Sequence, residues 1–212
     1  MKKICLMVVF ILVVVTVFCN ANASEEVELM RTIMKREAVE DVFYGNVETL
    51  ADVMTVSIPA DWEKLKINEV MGEKVAFHYK GTDSEGNDLY FSGIVMDIPI
   101  DMRETYKGVV HEMEEAGYDY TIESLNGIEA ILTGDEDVVL YILFTEGGKA
   151  IGLEFGGLET DVYYKTTYPY HPPLSEKLKS DKLSRDIAAI VRSVKKTGDV
   201  GMLKLTAIPV GE

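Results

Sequence analysis

The stretch TDSEGNDLYFSG, residues 82–93, places side-chain oxygens at Asp83, Glu85, Asn87 and Asp88. Oxygen donors at alternate positions suit a hard cation such as calcium. An EF-hand loop sets its ligands at positions 1, 3, 5 and 9, with glycine at 6 and a bidentate Glu at 12. Counted from Asp83, Glu85 and Asn87 fall at positions 3 and 5. Asp88 then replaces the glycine, and Phe91 and Ile94 stand where the last ligands belong. Gly86-Asn87 between two alternating segments instead suits a hairpin turn. The stretch therefore reads as a turn, with a calcium contact outside the EF-hand pattern as the alternative.

Three other segments carry residue types capable of chemistry. HEMEE, 111–115, starts like a zinc-protease helix, but that motif needs a second His where Glu115 stands. His78 and His171 lie in other elements, and the charged residues of HEMEE sit mostly off the apolar face of their helix, so a solvated face is expected. Gly147-Gly148-Lys149 lacks the Ser or Thr that follows the lysine of a phosphate-binding loop. DVYYKTTYPYHPP, 161–173, gathers Tyr163, Tyr164, Tyr168, Tyr170 and His171 among three prolines. Tyrosine offers a large, stiff contact area with a polar tip. This segment is the candidate contact surface for a ligand or partner, against the plainer reading that its rings cover the open end of a sheet. With 36 acidic residues in the chain, a catalytic carboxylate pair is easy to draw and proves nothing without geometry.

The elements that must position these residues follow from periodicity. VMTVSIP (53–59), EKVAFHYK (73–80) and LYFSGIVMDIP (89–99) read as strands, the latter two by alternation. Met102, Tyr106, Val109, Val110 and Met113 share one helical face, after Asp101 and Glu104 as a capping box and before Gly117 as a stop. GIEAILTG, VVLYILFT and KAIGLEF are three more strands joined by short acidic or Gly-containing turns. VVLYILFT is apolar on both faces and should be central. Leu183, Ile187, Ile190, Val191 and Val194 define a last helix running through Lys195 and Lys196 to Gly198. Hairpin links make the sheet antiparallel. The predicted fold is α+β: a largely antiparallel six-stranded sheet with helices packed on it, in the order βββα-βββα.

The N-terminus has its own logic. Lys2 and Lys3 precede an apolar run from Ile4 to Phe18, and Ala21-Asn22-Ala23 has the small-x-small form a signal peptidase cleaves. The run falls short of the roughly 20 apolar residues a membrane span needs. A secretory signal over residues 1–23, cleaved after Ala23, is expected, with an uncleaved anchor as the alternative. Lys2 and Lys3 are the only charges in that segment, so the net charge of −15 becomes −17 beyond Ala23. Both cysteines, Cys5 and Cys19, lie within it, which leaves no disulfide framework. A charge this negative opposes binding to nucleic acid or to anionic membranes. Residues 24–50 read as a partly helical extension, with Val27, Met30, Met34 and Ala38 near helical spacing, and residues 198–212 as a tail.

Residues Ile58-Pro59-Ala60-Asp61-Trp62, Phe91-Ser92-Gly93-Ile94, Gly127-Ile128-Glu129-Ala130 and the closing IVRSVKK carry a resemblance to the PsbP-like domain over about residues 50–197. The resemblance implies an α/β/α sandwich over 51–197 and a function of binding or assembly in many members. These motifs specify core positions, so no site residue is carried over. The expected protein is a secreted, non-catalytic binding or assembly module without a cofactor, acting on an extracellular protein or envelope component. A hydrolase with an acidic site and a calcium-stabilised envelope protein are the alternatives.

Overall fold

In the computed structural model of the chain, residues 23–36, 42, 44–67, 74–156 and 173–210 are described. They run α1 (Ala23–Lys35), β1 (Tyr44–Leu50), β2 (Met54–Pro59), β3 (Glu63–Lys64), β4 (Val75–Thr82), β5 (Asp88–Asp97), α2 (Met102–Ala116), β6 (Tyr120–Leu125), β7 (Ile128–Gly134), β8 (Val138–Phe144), β9 (Lys149–Gly156), α3 (Leu174–Leu178), α4 (Asp181–Ser193) and β10 (Lys195–Lys196), with a short 3-10 turn at Leu205–Ala207.

The fold is α+β. The six-stranded sheet expected from the sequence is instead a seven-stranded antiparallel sheet, in the order β3-β4-β5-β9-β8-β7-β6, with a separate three-stranded sheet, β1-β2-β10. The expected first strand, β2, belongs to the small sheet. β8 lies inside the large sheet and is buried on both faces, as its unbroken apolar run requires.

The alternation of each strand divides the core in two. One face of the large sheet presents Phe77, Tyr79, Phe91, Leu153 and Phe155, and the rings of Phe91 and Phe155 stack at 4.6 Å. The apolar faces of α1, α3, α4 and the small sheet close over it. The other face carries Ile131, Ile142 and Phe144. It is covered by Met102, Tyr106, Val109, Val110 and Met113 of α2 and by Leu203, Leu205 and Ile208 of the C-terminal segment.

Three expected boundaries move. Residues 24–50 are no appendage: α1 buries Val27, Met30 and Ile33 in the main core, and β1 pairs along β2. The tail docks through a bridge between Thr145 and Met202, and Thr206 donates to Glu129 from both its N–H and its hydroxyl. The last helix stops at Ser193 rather than running on, and Lys195 and Lys196 pair with Thr55 and Met54 as β10. Asn126 meets the helix at this stop. Its side-chain amide donates to the carbonyls of Arg192 and Val194, supplying the partners that another helical turn would have given.

The residues of the I-P-x-x-W stretch do structural work. The Trp62 ring lies over Gly81, where an added Cβ would sit 2.3 Å from the indole, and its Nε1–H donates to Asp186 at 2.9 Å.

Candidate functional site

The Tyr-rich candidates Tyr163, Tyr164, Tyr168, Tyr170 and His171 lie outside the described residues. The described ends of that segment are fixed. Gly156 pairs with Tyr90 on one side and Val138 on the other, and the N–H of Leu174 donates to the Glu136 carbonyl.

The calcium candidates form the turn between β4 and β5. Asp83 Oδ1 accepts from the N–H groups of Glu85 and Asn87, both at 2.9 Å, and Oδ2 accepts from Asn87 Nδ2. Burial works to raise the Asp83 pKa, but donors from Asn87, Ser180 and Glu85 outweigh it and hold the carboxyl at about 2. Asp88 Oδ1 accepts from the Thr82 hydroxyl at 2.6 Å. Glu85 is exposed. Asp83 thus ties its own turn together and, through Ser180, holds that turn against the start of α4. Among the described residues no three His, Cys, Asp or Glu side chains are grouped to hold a metal. His111 faces solvent beside Glu115, 3.5 Å away on the outer side of α2, while His78 is buried in β4.

A different cluster emerges where β4, β5, β9 and the β7–β8 turn meet. The ladders set His78 beside Ser92, Ser92 beside Glu154, and Glu154 beside Leu140. Cross-strand neighbours point to the same face, so His78, Ser92 and Glu154 form a polar row opposite the aromatic core. His78 Nδ1 and Ser92 Oγ are 2.8 Å apart, and the Tyr90 ring stacks on the imidazole at 5.8 Å. The residue types are those of a hydrolase triad, but their order is wrong. A triad needs the imidazole between hydroxyl and carboxylate, and here the serine lies between the other two. His78 and Ser92 are also 1% and 3% exposed. The pair satisfies two buried polar groups.

Glu154 is the most perturbed member of this row. Burial raises its pKa to about 7, and the charge of Asp135 adds to the shift. Asp135, itself buried, is raised to about 6, again mainly by burial. The N–H groups of Asp137 and Val138, which it accepts at 2.9 and 3.0 Å, oppose the shift without cancelling it. Nearby, α1 contributes Glu26 and α3 contributes Ser175 and Lys177. Glu26 is raised by burial although Ser175 hydrogen-bonds to it, and Lys177 is lowered by burial while its Nζ donates to the Asp88 carbonyl at 2.8 Å. Two carboxyl groups at this end of the sheet, Asp135 and Glu154, are therefore raised toward neutrality, the property a general acid requires. The grooves given by the described residues at Asp101, Lys182 and Lys204 lie elsewhere. One, about 480 Å³, is lined by residues that include Pro59, Ala60, Asp61, Lys182, Arg185 and Asp186.

Periodicity could not reveal this cluster, because its members come from four segments and each looks ordinary alone. One signal was present: Glu154 interrupts the buried apolar run of β9 after Leu153.

No family model and no curated protein matches the chain. Among solved structures it is similar to the solution structure of cyanobacterial PsbP (CyanoP) from Synechocystis sp. PCC 6803, with 12% identity and a TM-score of 0.40 over 76% of this chain and 98% of that one. No residue role passes to this chain from that likeness. No described helix is long and apolar enough to cross a membrane.

Proposed function

We propose that the chain is a secreted, non-catalytic binding or assembly module whose contact surface is the Tyr-rich segment 161–173. The supporting observation is the anchoring of that segment. Its chain leaves from Gly156, hydrogen-bonded in the sheet on both sides, and returns at Leu174, tied to the β7–β8 turn. Loops mounted on a rigid scaffold are where recognition residues collect, and four tyrosines in thirteen residues supply contact area at low entropy cost. The expected partner is an extracellular protein or envelope component. The test is affinity capture from an envelope and secretome extract by the native chain and by a variant carrying Tyr164→Ser, Tyr168→Ser and Tyr170→Ser. A partner held by the first and released by the second supports the module. Equal capture by both removes the loop from the reading.

A hydrolase with an acidic site is the second reading, favoured by the two raised carboxyl groups Asp135 and Glu154. It requires a hydrolytic activity that Glu154→Gln abolishes while the fold is retained. A calcium-stabilised envelope protein, the third reading, requires a melting temperature that falls on chelation. The donors already given to Asp83 and Asp88 weigh against it.

A further inference from the structure

β1 forms one edge of the small sheet. Val47, 65% exposed, is the most exposed large apolar side chain among the described residues, and Tyr44, Asn46 and Thr49 beside it are exposed too. The ladder fixes the direction of the backbone groups. Val47 stands opposite Ser57, yet the N–H of Ser57 donates to Ser193 Oγ and its carbonyl accepts from the same hydroxyl. Val47 and Ser57 are therefore a non-hydrogen-bonded pair, and the N–H and C=O of Val47 point away from β2. Two residues on, Thr49 stands opposite Thr55, which pairs on its other side with Lys195 of β10, so the backbone groups of Thr49 point outward as well.

Exposed edges are ordinarily blunted by Lys, Pro, shortness or a bulge. Residues 44–50 contain neither Lys nor Pro, and the bulge falls at the strand's start, between Tyr44 and Asn46. The strand's single charge, Glu48, accepts from Lys64 Nζ at 2.6 Å and from the Tyr79 hydroxyl. Past the bulge, the edge thus carries one charge, already paired, and none of the blunting residues.

We propose that two copies of this chain pair through β1, antiparallel about a two-fold axis at Val47, joining their small sheets into one six-stranded sheet. The two Val47 residues exchange both backbone hydrogen bonds, and their side chains meet on the outer face. Glu48 of each copy lies opposite Asn46 of the other, so no like charges face each other across the seam. A basic strand from another protein would find the one carboxylate of β1 already occupied, whereas a second copy sets that occupied carboxylate against a neutral amide. Without Lys2 and Lys3 each copy carries −17, so long-range repulsion opposes pairing and added salt strengthens it. The inference is independent of the function proposed above.

Sedimentation equilibrium of residues 23–212, which contain both cores, is the test, run over a concentration series at low and high salt. The expected result is a monomer–dimer equilibrium that tightens with salt. Val47→Pro, which removes an outward N–H and no bond within the sheet, should weaken it by more than about tenfold. Val47→Lys, which sets two cations together at the axis, should do the same. Hydrogen exchange at the Val47 and Thr49 amides of the unaltered chain does not depend on how the variants fold, and should slow as concentration rises. A monomer at every concentration overturns the proposal. So does a dimer that salt weakens or that folded variants leave intact, and so do amides that exchange at the same rate throughout the series.

Discussion

Glu154 and Asp135 hold their protons to higher pH than ordinary carboxyl groups because burial penalises the charged form more than their few donors favour it. The stability consequence has a definite sign. A carboxyl whose folded pKa is raised contributes stability at low pH, and that contribution is lost as pH rises through the folded value. The chain should lose stability between about pH 4 and about pH 7, and Glu154→Gln should remove about 3 kcal/mol of that loss. Chemical denaturation at a series of pH values measures it; an unchanged slope in the variant would remove Glu154 from the account. Asp83 acts in the opposite sense. Its pKa is lowered, so its contribution is present above about pH 4 and fades as pH falls toward 2. Asp83→Ala breaks the three bonds that close the turn and should cost about 1–2 kcal/mol. Chelators should leave the melting temperature of the native chain unmoved. A calcium-dependent shift abolished by the same substitution would restore the metal reading.

At the scale of elements, the helix termini and turns explain what the sequence displayed and what it concealed. Long periodic segments were legible: all five expected apolar positions of α2 are buried, as are those of α4. β1 was obscured because its turn into β2 uses Ala51 and Asp52, both at positive φ, where a primed hairpin turn normally advertises Asn-Gly. β6 was legible in principle, since Asn126-Gly127 is such a turn, with φ of 50° and 82°. YTIESL before it is only half apolar and hides the strand. Asn126 serves both roles, turn and helix stop. Asn126→Gly keeps the backbone conformation and loses only the two bonds to α4, at a cost of about 1 kcal/mol. Asn126→Ala adds backbone strain and should cost more, and paired urea titrations separate the two contributions. α1 is held likewise by a distant residue: Arg192 Nη2 donates to the carbonyls of Met34 and Arg36 at its C-terminal end. Ile33→Ala should cost about 2–4 kcal/mol, a loss that a loosely attached extension would not suffer.

Across the whole molecule, a chain without a disulfide beyond its expected signal rests on two apolar cores, one on each face of the seven-stranded sheet. The sequence conveyed the α+β class and the antiparallel pairing because both follow from local alternation and short turns. It could not convey the separation of β1-β2-β10 from the large sheet. The small sheet's third strand, β10, begins only past the end of α4, and a side chain from a turn 66 residues earlier meets α4 there. The candidate site divides in the same way. The Tyr-rich segment is conspicuous in composition, whereas His78, Ser92, Asp135 and Glu154 become neighbours only through the ladder. The two features also represent the two leading accounts of function, recognition and acid chemistry.

A single capture experiment separates them. The native chain, the Tyr164, Tyr168 and Tyr170 triple serine variant, and Glu154→Gln are presented to the same envelope extract, with folding of each verified by near-UV circular dichroism. A binding module predicts that Glu154→Gln retains the partner of the native chain and that the triple variant loses it. Retention by the triple variant, together with a hydrolytic activity that Glu154→Gln abolishes, would contradict the account.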